Sequence, residues 1–236
     1  MPFWSPEVKE TMRRQLWRAA EFSGVRIITY CLMGNHFHVL VAVPDKTKVS
    51  ISNEELLRRY KQLHAKPTLK ENAHLRSVEE TLKAPGTRAE ALRQQLLARM
   101  HDVSEFMKTF KLRFSYWYNR QHDRRGTAWS RRFKSVLVEN SAPAISTVAA
   151  YIDLNPVRAG LVEDPKDYRW CGYAEAVSGN RQIRECLCLM TGQTHTSELF
   201  KLDRATVTNP YQPDYAPSKA LTDSAIRLAM AHYRML

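Results

Sequence analysis

Two pairs of residues have types and spacings that can do chemistry: His36 with His38, and Tyr151 with Asn155. The stretch Tyr30-Cys31-Leu32-Met33-Gly34-Asn35-His36-Phe37-His38-Val39-Leu40-Val41 reads as two apolar runs joined by Gly34-Asn35, a two-residue connection of hairpin type. Side chains alternate across a strand, so His36 and His38 share one face. Phe37, Val39, Val41 and Val43 are then expected on the opposite face, turned into a core. Two imidazoles side by side can supply two ligands to one divalent metal. The plainer reading is a half-buried strand whose outer face carries histidines, and the pair alone does not decide between them. Tyr151 and Asn155 are four apart and so lie near one another on one helix face. Tyrosines on amphipathic helices are commonly core.

The elements that must position these residues follow from capping and periodicity. Ser5-Pro6-Glu7 opens a helix over 7–22, with Ser5 as N-cap and Pro6 at the first helical position. Val8, Met12, Leu16, Ala19 and Ala20 form its apolar stripe, and Ser23-Gly24 stops it. Strands are expected over 25–33 and 36–43, with the second ended by Pro44-Asp45. Residues 45 to about 122 read as helical and polar. Ser52 and Glu55 suggest a capping box, and Lys66-Pro67 and Ala84-Pro85-Gly86-Thr87 are breaks. The last piece reads as one long helix, its stripe running from Ala91 to Trp117 and packing on the sheet. Arg132 to Val138 alternates as a third strand would. Asn140-Ser141 caps a helix through Ile152, Pro156 ends it, and the proline pushes Asn155 out of helical geometry. Asp167-Tyr168-Arg169-Trp170 reads as a turn that staples the chain back. Residues 178–236 form an extension with helical pieces, including one from Thr222 to Met235 after a linker holding Pro210, Pro213 and Pro217.

The chain has 236 residues, 44% of them hydrophobic, enough for one substantial core with additions. Lys plus Arg number 36 against 24 acidic residues, a formal charge of +12 that suits a polyanionic partner such as nucleic acid. Basic residues concentrate over 111–140, with aromatics Phe114, Tyr116, Trp117, Tyr118, Trp129 and Phe133 among them. Basic side chains neutralise phosphates and aromatic faces stack on unpaired bases, a mixture that suits single-stranded or hairpin nucleic acid. The competing reading makes the aromatics core and the charges a solvated face. Cys31, Cys171, Cys186 and Cys188 are too few and unevenly spaced for a disulfide framework. Cys186 and Cys188 with His195 lack the spacing of a zinc site, so all four read as ordinary thiols in a reducing compartment. No run reaches membrane-spanning length, so a soluble, cytoplasmic protein without membrane partners is expected.

Four motifs in order resemble one family. They are Met33-Gly34-Asn35-His36-Phe37-His38-Val39-Leu40; Gly126-Thr127-Ala128-Trp129-Ser130-Arg131-Arg132-Phe133-Lys134-Ser135; Tyr151-Ile152-Asp153-Leu154-Asn155-Pro156-Val157-Arg158-Ala159-Gly160-Leu161-Val162; and Asp167-Tyr168-Arg169-Trp170. Together they resemble the REP-associated tyrosine transposases, single-tyrosine members of the HUH endonucleases, over roughly residues 5–175. The resemblance implies an α+β fold, a ferredoxin-like antiparallel sheet with helices and the paired histidines on a central strand. It divides the chain into a transposase domain over 1–175, with a helical insertion at about 50–105, and an extension over 176–236.

By the same resemblance Tyr151 is the nucleophile, and His36, His38 and Asn155 are ligands of a divalent metal, Mg²⁺ or Mn²⁺. Arg124, Arg125, Arg131, Arg132 and Lys134 grip DNA, and Arg158 anchors the turn or meets a phosphate. The implied activity is cleavage and strand transfer on single-stranded or hairpin DNA, such as repetitive palindromic elements, through a 5′-phosphotyrosine. The implied protein is a monomer or homodimer. A tyrosine hydroxyl, with an ordinary pKa near ~10, needs such a metal to attack a phosphodiester at neutral pH. The alternative is a non-catalytic hairpin-binding protein, a domesticated or truncated relative. Family members begin with a strand before the first helix. This chain starts almost at the helix, so the first strand of the sheet is expected to be missing.

Overall fold

The computed structural model describes residues 5–64 and 67–190. Helix α1 (Pro6–Ser23) leads into strands β1 (Arg26–Leu32) and β2 (Phe37–Ala42). Four helices follow: α2 (Asn53–Leu63), α3 (Leu69–Lys83), α4 (Thr87–Leu97) and α5 (Val103–Gln121). The chain then forms α6 (Ala142–Asp153), the short turn α7 (Asn155–Arg158), α8 (Gly172–Val177) and α9 (Arg181–Met190). The class is α+β, mostly helical, and β1 pairs with β2 in a two-stranded antiparallel sheet among the described residues. No described helix is long and apolar enough to cross a membrane. The expected helix from Thr222 to Met235, the linker prolines and His195 lie outside the described residues.

The start and stop signals of α1 hold. Ser5 Oγ accepts the Val8 amide at 3.2 Å, and the Val25 amide returns to the Ala20 carbonyl at 3.1 Å across Gly24, whose φ is +64°. The predicted stripe of Val8, Met12, Leu16, Ala19 and Ala20 is buried throughout.

The described chain forms two compact units. The first combines residues 5–10, 27–42 and 134–190. Strand β1 is its centre, buried from Ile27 to Leu32. Polar side chains under β1 are paired: Thr29 Oγ1 donates to Asp153 Oδ1 at 2.7 Å, and the Tyr30 hydroxyl donates to Glu175. Asp153 Oδ1 also accepts the Tyr173 amide at 3.1 Å, so one buried carboxylate joins β1, α6 and the start of α8. Gly172 permits that approach, because a Cβ there would collide with the Thr29 hydroxyl. Helix α9 packs on α6 and α8, with Ile183 and Leu187 buried and the Met190 carbonyl accepting from Ser146 Oγ at 3.0 Å.

The segment 167–170 is the staple that the sequence suggests. The Leu32 amide donates to the Trp170 carbonyl at 2.9 Å, and Cys31 and Cys171 form an antiparallel bridge. All four cysteines are buried free thiols. Burial pushes the Cys31 thiol up to about 12, with the Asp153 charge adding to the shift.

The second unit holds residues 11–26 and 43–133, described except for 65 and 66. Helices α2, α3 and α4 pack on one another around Leu56, Tyr60, Leu63, Leu75, Val78 and Leu82, joined by Phe22. These three helices therefore share a core of their own. Ser52 caps α2, accepting the Glu55 amide at 3.2 Å, but Glu55 turns to Arg58 and Arg59 and closes no box. The reciprocal box sits instead at Thr68 and Glu71 on α3.

Three further expectations need correction. The long helix from Ala91 to Trp117 is two helices, because His101 takes a φ of 51° and Asp102 caps a new start by accepting the Glu105 amide at 2.9 Å. The third strand over Arg132–Val138 does not form. That segment has no regular structure, and Val136 and Leu137 are almost fully exposed, so no partner strand rewards extension. Asn155 is not expelled from helical geometry: the proline after it occupies the first turn of α7, where a missing N–H costs nothing, and the Ala159 amide bonds to the Asn155 carbonyl at 3.0 Å.

Candidate active site

The site lies in the first unit and is built by β2 and α6. The Met33 amide donates to the His36 carbonyl at 2.9 Å, closing the hairpin through Gly34-Asn35 as expected. The facing of β2 is the reverse of the expected one. Leu40 and Ala42, which share a side with His38, are buried, whereas Phe37, Val39 and Val41 are only half-buried. The reason is α6, which packs on β2 and covers the histidine face. Periodicity predicts that two faces differ, but it cannot say which one another helix will cover.

His36 and His38 face each other edge-on, with ring centroids 5.0 Å apart. Nδ1 of His36 lies 2.6 Å from Asn35 Oδ1, within hydrogen-bond reach. Burial, and then the neighbouring His36, hold His38 below the ordinary imidazole range, so it is neutral near pH 7.

Tyr151 projects from α6 toward these rings. Its ring centroid is 6.2 Å from that of His38 in an edge-to-face arrangement, and the side chain is 50% exposed. That exposure argues against a core role and leaves the hydroxyl accessible. Ser141 starts α6 by accepting the Ala144 amide at 3.4 Å, and buried Asp153 fixes its other end. Asn155 Nδ2 donates to the Tyr151 carbonyl at 2.8 Å and the Ile152 carbonyl at 3.2 Å. The carboxamide thereby caps α6 and keeps its Oδ1 as an acceptor. Arg158, exposed on α7, places its guanidinium carbon 4.9 Å from the centroid of the Tyr151 ring.

Sequence reasoning missed three contributors: Asn35 as the partner of His36, Asp153 as the anchor of α6, and Arg158 over the tyrosine. Only Asp153 left a signal, the one charged residue in the run from Ile145 to Leu154.

Two imidazoles side by side are a nitrogen donor pair of the kind that binds divalent ions. Among the described residues no group of three His, Cys, Asp or Glu side chains is assembled for a metal.

The other basic candidates are distributed differently. Arg124, Arg125, Arg131 and Arg132 belong to the second unit and are all exposed. Their loop is pinned to α5: Trp129 Nε1 donates to the Lys111 carbonyl at 2.9 Å, Lys111 Nζ to the Arg131 carbonyl at 2.8 Å, and Asn119 Nδ2 to the Gly126 carbonyl at 2.6 Å. Phe114 and Tyr118 are buried in this arrangement, so packing claims those aromatics, whereas Tyr116 is exposed. Lys134 is exposed in the first unit.

Residues 2–83 match the family model described as Transposase IS200 like. No curated protein and no solved structure matches the chain. The matched residues include His36 and His38 and stop short of Tyr151 and Asn155. That stretch, with the paired histidines inside it, is similar to the IS200-like transposases.

Proposed function

We propose that this protein is a transposase-type endonuclease and strand transferase acting on single-stranded or hairpin DNA, with Tyr151 as nucleophile. One observation carries the reading: an exposed tyrosine from α6 stands against the paired imidazoles of β2, although the two are far apart in sequence. Repetitive palindromic elements are the proposed targets, following the motif resemblance.

The Tyr151 oxygen attacks the scissile phosphorus while the phenol proton leaves to solvent. An oxygen–phosphorus bond forms to Tyr151, and the bond to the 3′ oxygen breaks, releasing a 3′-hydroxyl. The 5′-phosphotyrosine keeps the phosphodiester energy, so a second 3′-hydroxyl can reverse the step and join strands without ATP. His36 and His38, with Asn155, would hold Mg²⁺ or Mn²⁺, which supplies polarisation of the phosphate and neutralisation of charge when bound. Asp153 and Asn155 hold the end of α6, so Tyr151 is presented without the entropy of searching for its place. The exposed arginines of the 124–132 loop would take backbone phosphates.

The test uses labelled single-stranded hairpins drawn from the DNA flanking the gene, incubated with the protein and Mg²⁺ or Mn²⁺. A covalent protein–DNA adduct on a denaturing gel is expected, and Tyr151→Phe, His36→Ala and a chelator should each abolish it. Tight hairpin binding with no adduct under any of these ions would replace this reading with the non-catalytic hairpin-binding one.

A further inference from the structure

We infer that Arg158 is a positioning residue for Tyr151: its guanidinium, lying over the tyrosine ring, holds that ring in the attack orientation. The inference rests on the tyrosine reading above and adds a residue to it. Tyr151 is half exposed, and a tyrosine so placed on a helix surface is free to turn about its side-chain bonds. Two groups restrain it here. The His38 ring meets it edge-on with centroids 6.2 Å apart, and the Arg158 guanidinium carbon lies 4.9 Å from its centroid, over the ring.

The backbone explains how Arg158 reaches that position. Helix α7 starts at Asn155, one residue after α6 ends, with Pro156 in its first turn; the Arg158 amide bonds to the Leu154 carbonyl at 2.9 Å, and Gly160, with a φ of +66°, ends the turn. An uninterrupted α-helix would set residues 151 and 158 two turns apart along its axis, and here the helix is interrupted at Leu154, whose ψ is −4°.

The charge of Arg158 is uncommitted. The described residues give it no carboxylate and no hydrogen-bond acceptor; its one side-chain contact is the ring. A guanidinium can stack through its plane and donate through its edge at the same time.

The test compares wild type with Arg158→Ala, Arg158→Lys and Tyr151→Phe on the same labelled hairpins, reading hairpin affinity and adduct-formation rate separately. Arg158→Ala should slow adduct formation by about 10- to 100-fold, as expected for a misplaced nucleophile, with affinity and melting temperature nearly unchanged. Arg158→Lys, which keeps the charge and loses the plane, should recover little of the rate. Millimolar methylguanidinium should rescue Arg158→Ala and leave Tyr151→Phe inactive. An Arg158→Ala rate equal to wild type, while Tyr151→Phe forms no adduct, overturns this inference and leaves the nuclease reading standing. Loss of rate with a matching loss of affinity, unrescued by methylguanidinium, assigns Arg158 to ordinary phosphate contact and also overturns it. Absence of any adduct from wild type removes both readings.

Discussion

The Tyr168 hydroxyl donates to the Leu32 carbonyl at 2.8 Å while accepting from Lys9 Nζ at 2.8 Å. This links α1, the end of β1 and the segment before α8 through one phenol. Burial holds the Lys9 ammonium below its ordinary range, and its Nζ also lies 4.6 Å from the Trp170 ring centroid. Tyr168→Phe preserves the packing and strands a carbonyl and an ammonium away from water. A loss of about 1–3 kcal/mol is expected, read as a lower denaturant midpoint with an unchanged slope. Because Leu32 sits just before the hairpin that carries His36, adduct formation should weaken as well.

Gly24 and Gly160 have nearly the same φ, +64° and +66°, but different surroundings. A Cβ on Gly24 would strike His101 Nε2 and lie 2.8 Å from Arg59 Nη1, whereas one on Gly160 meets nothing within 4 Å. Gly160→Ala should cost about 1 kcal/mol, the strain of a left-handed alanine alone. Gly24→Ala should cost about 2–4 kcal/mol, because the clash adds to that strain. Denaturant unfolding of the two variants separates the terms.

His101 provides a pH dependence. Burial, then the Arg59 and Lys46 charges, push its imidazole down to about 4, while the unfolded chain protonates near the ordinary ~6.5. Between those values the unfolded state binds the extra proton. The stability contributed by neutral His101 is therefore complete above about pH 6.5 and lost as pH falls to about 4, on the order of 2–3 kcal/mol. His101→Asn, which tolerates the left-handed backbone, should flatten that part of the stability–pH curve relative to wild type.

Arg124, Arg125, Arg131 and Arg132 are exposed and have no carboxylate partner among the described residues, which suits them to the phosphate contacts proposed for them. Replacing each by alanine should lower the slope of log affinity against log salt by about 0.7 for single-stranded DNA. Hairpins of unrelated sequence should weaken equally. A variant that changes sequence preference without changing the slope would instead mark that arginine as reading bases.

Local chemistry in the sequence determined much of what is observed. Ser5, Ser52 and Ser141 cap their helices as read, because a cap depends on residues three apart. The hairpin at Gly34-Asn35, the free buried thiols and the staple at Tyr168 follow from equally short patterns or from composition. The pairing of His36 with His38 follows from the two-residue repeat of a strand.

Tertiary structure alone decided what those patterns face. Leu40 and Ala42 are buried, and Val39 and Val41 only half so, because α6 covers one side of β2, a choice made by packing between segments about a hundred residues apart. Arg132–Val138 has the alternation of a strand and forms none, since strand structure requires a neighbour to bond with. His101 splits a continuous apolar stripe because its amide bonds to the Ser23 carbonyl at 2.7 Å, a partner invisible in the local sequence. The approach of Arg158 to Tyr151 is of the same kind: residue types and spacing supplied the candidates, and only the folded chain, broken at Leu154 between α6 and α7, shows one side chain over the other.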